Sequence, residues 1–77
     1  MYYYIDGTVV ELLSGAAVLD CSGVGYELNV SLNTMSQLKL GERAKLYVSE
    51  SVKEDAFDLY GFCTKSEKHA FQLLIGV

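Results

Sequence analysis

Short apolar segments separated by turn residues make up the first part of the chain. Residues 2–13 are rich in aromatic and β-branched side chains, and a Ser-Gly turn separates them from a second apolar segment, Ala16–Cys21. Two such segments joined by a tight turn predict a β-hairpin. Gly7 interrupts the first segment. Because glycine has no Cβ, we expect the strand to bend or bulge there and a neighbour to approach closely.

Three more segments have the pattern of β-strands. Residues 26–30 and 44–49 each alternate apolar with polar side chains, as half-buried strands do. A polar connection at 33–39 lies between them. Segment 51–55, which ends in three charged residues, interrupts the pattern before it resumes in Ala56–Phe62, so we expect a hairpin tip at that interruption.

A helix is predicted at the end of the chain. Thr64 and Glu67 have the spacing of a capping box, in which a hydroxyl and a carboxylate accept hydrogen bonds from otherwise unpaired backbone N–H groups. Apolar side chains follow at helical spacing, namely Ala70, Phe71, Leu74 and Ile75. The sequence stops within the apolar pattern of residues 72–77, which leads us to expect a further domain beyond it.

Together these elements predict an all-β protein with a C-terminal helix. Five short strands in a chain of 77 residues favour a closed barrel, because closure removes exposed sheet edges. We expect a five-stranded OB-fold barrel over residues 1–63 and a terminal helix over residues 64–77. An SH3-like barrel remains open, since the two folds differ in the order in which their strands connect and strand spacing does not reveal that order.

The overall charge argues against a general affinity for DNA. Ten acidic and six basic side chains give a formal net charge of -4, which repels a polyanion unless a local basic patch exists. Hydrophobic residues make up 51% of the chain, which favours a packed core over disorder. No apolar run approaches the roughly 20 residues of a membrane-spanning helix, so we expect no membrane partner.

Residues capable of catalysis or metal binding are few and widely spaced. Cys21 and Cys63 lack the spacing of a metal site, and we expect both to be reduced, as in the cytoplasm, and buried or half-buried. His69 has no partner at the spacing of a metal pair or a catalytic triad, so we expect a partly exposed helix residue. The SGVG segment at 22–25 lacks the Lys-Ser/Thr ending of a phosphate-binding loop and is interpreted as a turn. The sequence therefore predicts no cofactor and no enzymatic activity.

Six tyrosines and three phenylalanines could form a surface on which nucleobases stack, as in OB folds that bind single strands. Such stacking sites need basic residues nearby. The charge nearest to residues 2–4 in the sequence is Asp6, so we favour packing in the core or between subunits over nucleobase contact. A free-standing OB module that binds single-stranded nucleic acid remains the alternative function, and a purely structural oligomerisation domain is a third.

Glu54 and Asp55 are the most informative charged pair. Adjacent carboxylates at a hairpin tip usually belong to a solvated turn. On a surface that faces DNA they would instead repel phosphates and part or steer the strands, and Lys53 beside them could contact one phosphate. The residues themselves leave both interpretations open.

Several segments together are similar to the N-terminal domain of the RuvA family. They are YIDG at 4–7, GVGYELNV at 23–30, VKEDA at 52–56, LYGF at 59–62 and FQLLIGV at 71–77. Their order and spacing match the family. The resemblance covers essentially the whole chain but only the first of the three domains of that family.

This resemblance implies an OB barrel that assembles into a four-fold homotetramer, on which four-way junction DNA lies open and flat during recombination and repair. It implies that Glu54 and Asp55 form an acidic pin at the junction centre, with Lys53 as a possible phosphate contact. The main DNA contacts would come from helix-hairpin-helix motifs in the second domain of the family. The implied partners, reached through the full-length protein, are the RuvB ATPase and the RuvC resolvase, and the subunit itself would be a non-catalytic protein of the bacterial cytoplasm.

Overall fold

A computed structural model describes the backbone of residues 2–53 and 56–74 and the side chains of residues 2–51 and 57–74. Five strands and two helices follow one another along the chain. They are β1 (Tyr4–Leu13), β2 (Ala16–Cys21), β3 (Val24–Val30), α1 (Leu32–Met35), β4 (Arg43–Lys53), β5 (Ala56–Phe62) and α2 (Lys65–Leu74).

The strands close into a barrel in the order β1-β2-β3-β5-β4, and β4 pairs with β1 to complete it. β3 runs parallel to β5, whereas the β1–β2, β2–β3, β4–β5 and β1–β4 pairs are antiparallel. The insertion of β5 between β3 and β4 is the connection order of a five-stranded OB fold. It confirms the predicted fold and decides against the SH3-like alternative.

The core fills the barrel interior because inward and outward positions alternate along each strand. Leu28 in β3 and Leu46 and Val48 in β4 are at most 1% exposed, as their alternation predicted. The core cluster consists of Ile5, Val9, Ala17, Leu19, Leu28, Leu38, Leu46 and Val48. Leu38 comes from the connection between α1 and β4 and joins the same cluster.

β1 is long enough to pair with two different strands, one along each half of its length. Its first half pairs with β4 and its second half with β2, and the change of partner occurs at Thr8. The close approach expected at Gly7 is confirmed, since a Cβ built there would lie 2.6 Å from the Asp20 carbonyl oxygen and 2.6 Å from Cys21 Sγ. The irregularity in the register lies between Val9 and Glu11 instead of at Gly7. The glycine therefore permits close packing, and the bulge is placed further along the strand.

The connection between β3 and β4, predicted as a polar segment without regular structure, contains a short helix. Ser31 is the N-cap of α1, and its hydroxyl accepts a hydrogen bond of 3.1 Å from the Thr34 N–H and lies 3.3 Å from Thr34 Oγ1. Thr34 is fully buried. A polar residue inside this short helix is tolerated because its hydroxyl has a partner, so the polar appearance of the segment concealed a packed element.

α2 begins with half of the predicted capping box. The Glu67 N–H donates to Thr64 Oγ1 at 3.2 Å, but the Glu67 carboxylate accepts a hydrogen bond from Cys63 Sγ at 2.8 Å. Phe71 packs against Tyr60 and Phe62 of β5, with ring centroids 4.9 and 5.2 Å apart.

The apolar face expected along the terminal helix is only partly correct. Phe71 is half-buried, whereas Ala70 is exposed and the side chain of Leu74 is 86% exposed. The apolar contact of the helix with the barrel is therefore made mainly by Phe71, and the helix does not bury a continuous apolar stripe. Ile75, the fourth residue of the expected stripe, lies outside the described residues.

Candidate nucleic-acid interface

The residues predicted to act on DNA lie at the β4–β5 connection. The backbone of Lys53, the last residue of β4, pairs with Ala56, the first of β5, in the antiparallel register expected on either side of a hairpin connection. Glu54 and Asp55 lie between them in sequence and outside the described residues, as does the Lys53 side chain. The acidic pin therefore stays a prediction.

Three tyrosine rings form a cluster on the outer face of β1 and β4. Tyr4 and Tyr47 are register partners on the two strands, and the Val48 N–H donates to the Tyr3 carbonyl oxygen at 2.9 Å, which extends the pairing by one residue. The ring centroid of Tyr3 lies 6.3 Å from that of Tyr4 and 5.9 Å from that of Tyr47, and the centroids of Tyr4 and Tyr47 are 6.4 Å apart. The rings meet edge to face at angles of 74° to 86°, so they do not stack on one another.

Lysine side chains surround these rings. Lys45 Nζ lies 4.3 Å from the ring centroid of Tyr4 and 5.5 Å from that of Tyr47. Two further lysines reach the cluster from α2, where a separation of three residues puts them on the same side of the helix. The six residues of this tyrosine–lysine patch are Tyr3, Tyr4, Tyr47, Lys45, Lys65 and Lys68.

The side chains of the two α2 lysines extend over the ring of Tyr3. Lys68 Nζ lies 4.3 Å from the Tyr3 ring centroid and donates a long hydrogen bond of 3.5 Å to the Tyr3 carbonyl oxygen. Lys65 Nζ lies 5.8 Å from the centroids of both Tyr3 and Tyr47. These distances are within the range of cation–π attraction, so the patch is one cluster assembled from two strands and a helix.

The expectation that the N-terminal tyrosines lack basic neighbours is therefore wrong. It counted charges along the sequence, whereas the lysines come from β4 and from α2. Part of the signal was present, because alternation in β4 places Lys45 and Tyr47 on one outward face. The missing part was the closure of β4 against β1, which strand spacing does not reveal.

Asp6 does not cancel the charge of this patch. Its carboxylate Oδ1 pairs with Arg43 Nε at 2.9 Å. Among the residues with described side chains, the three patch lysines form no ion pair. Three of the six basic residues therefore belong to this patch, in a chain whose formal net charge is -4.

The groove on the β3–β5 side of the barrel, away from the patch, is lined by acidic side chains. A groove between β3 and β5 includes Glu27 and Asp58 together with the exposed Phe57, whose side chain is 55% exposed. The β2–β3 face and the loops around it are the usual ligand surface of OB folds. Carboxylates at the edge of that surface disfavour a phosphate backbone. Among the described residues, the tyrosine–lysine patch is therefore the better candidate for a contact with nucleic acid.

Both cysteines are free and partly buried, in accord with their predicted state. Burial raises the pKa of the Cys21 thiol, and the carboxylates of Asp20 and Asp6 raise it further. Burial is also the largest cause of the raised pKa of Cys63, followed by its hydrogen bond to Glu67. Both groups are therefore protonated at neutral pH, which does not favour a role as nucleophile.

The other residues considered as candidates for catalysis or ligand binding are a surface residue and a turn. His69 is exposed on α2, as predicted. Of the turn predicted at 22–25, only Ser22 and Gly23 form the turn, because β3 begins at Val24. Ser22 has a φ of 55°, and the Gly23 N–H donates to Asp20 Oδ1 at 2.8 Å. Within the described ranges, no three His, Cys, Asp or Glu side chains are grouped as metal ligands, and no helix there is long and apolar enough to cross a membrane.

Comparison with known proteins gives a consistent result. A family model described as "RuvA N terminal domain" matches residues 1–61. The "Holliday junction branch migration complex subunit RuvA" of Bacteroides fragilis is 48% identical over 77 residues, which is 100% of this chain and 38% of that protein. The proteins of the same name from Parabacteroides distasonis and Streptomyces coelicolor are 46% identical over 100% of the chain and 43% identical over 96%, and the matches cover 39% and 37% of their lengths. The chain thus spans less than half the length of these relatives.

Proposed function

The chain belongs to the family of RuvA N-terminal domains, and from this premise we propose that it acts in a subunit that binds Holliday junctions during branch migration, in DNA recombination and repair. The observation that carries the proposal is the family match over residues 1–61, which includes nearly the whole closed barrel. The curated relatives are named as subunits of a branch migration complex. Such a role belongs in the bacterial cytoplasm.

In this proposal the domain is a non-catalytic part of the machine. ATP hydrolysis belongs to the RuvB partner, and junction cleavage to RuvC. The barrel acts by position and charge. Its closed sheet is a rigid support on which the β4–β5 connection can be held at a fixed point.

Glu54 and Asp55 supply the mechanism at that point. Carboxylates near the crossover repel the phosphates of strands that approach one another there, which disfavours a folded, stacked junction and guides separated strands toward the exit arms. Two unit charges 4 Å apart repel by about 1 kcal/mol in water and by more where water is excluded. Lys53 offers one attractive contact beside the pair. Net attraction must come mainly from other parts of the full-length subunit, since this chain has a net charge of -4.

Four-fold assembly is the second element of the proposal. A homotetramer would place four Glu54-Asp55 pairs around one axis, where their repulsion acts on the junction centre. Light scattering over a concentration series measures the mass of the chain, and a species of four times the 8.5 kDa monomer is the expected result. A monomer at every concentration would show that the barrel alone does not assemble. A tetramer without any effect on junctions would favour the purely structural role.

The pin is tested in a chimaera in which this chain replaces the aligned N-terminal domain of the Bacteroides fragilis relative. The variant carries Glu54→Gln and Asp55→Asn. A matched control carries Glu11→Gln and Glu42→Gln, which remove the same charge from exposed positions elsewhere on the barrel. We expect the pin variant alone to change the rate of RuvB-driven branch migration or the preference for a four-way junction over duplex. An unchanged rate and an unchanged preference would remove the pin assignment.

A further inference from the structure

We propose that the tyrosine–lysine patch binds single-stranded nucleic acid, with unpaired bases stacked on the rings of Tyr3 and Tyr4 and phosphates held by the surrounding lysines. This site is separate from the acidic pair at the β4–β5 connection. It also goes beyond the proposed function, because it requires neither the tetramer nor any domain outside this chain.

The exposure of the rings is the first argument. Tyr3 is 55% exposed and Tyr4 is 49% exposed, although they are neighbours on a small barrel. Because the rings meet edge to face, no other ring is stacked flat on them, and their exposure shows that part of each ring remains accessible. A base can stack on such a face, and stacking of this kind tolerates any base sequence. The ammonium groups now over the rings do not prevent it, since an exposed cation–π contact is weaker than a base–aromatic stack.

The arrangement of charge is the second argument. Lys45, Lys65 and Lys68 place three ammonium groups within 4.3 to 5.8 Å of the tyrosine ring centroids. The nearby carboxylate of Asp6 pairs with Arg43. Like charges held together repel one another, and a phosphate backbone passing over the patch relieves that repulsion while its bases reach the rings.

A nucleic acid fits this surface better than a protein partner does. Lysine is depleted in protein–protein interfaces, because burying its flexible charged side chain is costly. Single strands fit better than duplexes, because the bases of a duplex are stacked on each other and offer no free face to a tyrosine. The acidic β3–β5 groove, which contains Glu27 and Asp58, further disfavours strand binding on the other side of the barrel.

The test is a fluorescence anisotropy titration of a labelled oligothymidylate with the 77-residue chain. We expect saturable binding at low salt, and weaker binding to a duplex of equal length. The logarithm of the affinity should fall with the logarithm of the salt concentration by about 0.7 for each phosphate neutralised, or about 2 for three lysines.

Two variants with matched controls assign the binding to the patch. Tyr3→Leu should weaken binding by about 5- to 150-fold, the range expected for the loss of one base–aromatic stack. Tyr2→Leu is its control, since the Tyr2 ring packs against Tyr26 with centroids 5.8 Å apart and does not belong to the patch. Lys68→Gln should reduce the salt dependence by about 0.7 in slope, whereas Lys39→Gln removes an equal charge from an exposed loop and should leave it unchanged.

Circular dichroism of every variant must show the same thermal transition, so that a loss of binding is not a loss of folding. Absence of binding by the folded chain at about 50 mM salt, where electrostatic attraction is strong, would overturn the proposal. Equal losses from Lys68→Gln and Lys39→Gln would also overturn it, as would patch variants that alter the solution mass and not the affinity. The junction experiment on Glu54 and Asp55 is independent, so the two proposals can fail separately.

Discussion

Replacing Gly7 with alanine tests the packing of β1 against β2. An alanine Cβ at this position would lie 2.6 Å from the Asp20 carbonyl oxygen and 2.6 Å from Cys21 Sγ. Carbon atoms that are not bonded make their best contacts at about 3.5 to 4.0 Å, so β1 and β2 must move apart locally. The carbonyl belongs to the backbone and cannot rotate away as a side chain can.

The expected cost follows from this overlap. Extra carbon atoms in a well-packed interior destabilise a protein by about 1 to 3 kcal/mol. In a domain of this length, 1 kcal/mol shifts the midpoint of thermal unfolding by about 4 to 8 °C, so Gly7→Ala should lower Tm by about 4 to 24 °C. The assay is thermal unfolding followed by circular dichroism, supported by urea unfolding.

Gly25→Ala is the matched control. Gly25 also lies in a strand, but the nearest atom to its built Cβ is Val18 Cγ1 at an ordinary 3.6 Å. We expect a change of less than about 0.5 kcal/mol for this variant. Similar Tm values for Gly7→Ala and Gly25→Ala, within about 2 °C, would refute the close approach of the two strands.

A second substitution separates the two contacts of Gly7. Cys21→Ala removes the sulfur atom and leaves the Asp20 carbonyl in place, so it should recover only part of the stability lost in Gly7→Ala. A double-mutant cycle measures that part, since residues in contact give interaction energies of about 0.5 to 3 kcal/mol. Full recovery would show that the backbone contact is unimportant.

The other predictions concern the start of α2 and the two thiols. Thr64→Ala removes the acceptor of the Glu67 N–H and should cost about 0.5 to 2 kcal/mol in urea unfolding, whereas no change would show that the cap is not stabilising. Burial is the main cause of the raised pKa of Cys63, and the hydrogen bond and charge of Glu67 raise it further, so Glu67→Gln should let iodoacetamide modify Cys63 faster at mildly alkaline pH and leave the rate at Cys21 unchanged. Burial raises the pKa of both thiols in the folded state, so their contribution to stability is full below the unfolded thiol pKa of about 8.5 and is lost as pH rises through the folded values. Thermal unfolding from neutral to alkaline pH should show this decline, and the variant Cys21→Ser, Cys63→Ser should lose that part of it.

Much of the barrel could be predicted because a half-buried strand leaves a direct signal in the sequence. The alternation in residues 44–48 identified Leu46 and Val48 as core residues, and both are buried. The order of the strands could not be obtained in this way, because the pairing of β3 with β5 joins residues distant in sequence through two register pairs. The resemblance to a known family supplied what periodicity could not.

The errors at the candidate site have the same physical origin. Lys65 and Lys68 were correctly expected in a helix, but their position above Tyr3 depends on how α2 folds back over the barrel. The short helix around Thr34 was missed because its buried hydroxyl is satisfied by Ser31, which a polarity pattern cannot show. Local periodicity was therefore sufficient to predict most strands and the terminal helix, whereas the tyrosine–lysine patch depends on contacts between residues distant in sequence.

The central claim is that this barrel is a working RuvA N-terminal domain. The most direct measurement is RuvB-driven branch migration of a synthetic four-way junction by the chimaera that carries this chain in place of the corresponding domain of the Bacteroides fragilis relative, to which the chain is 48% identical. We expect the chimaera to bind the junction and to support migration. A chimaera that folds, assembles and binds the junction but does not support migration would contradict the central claim.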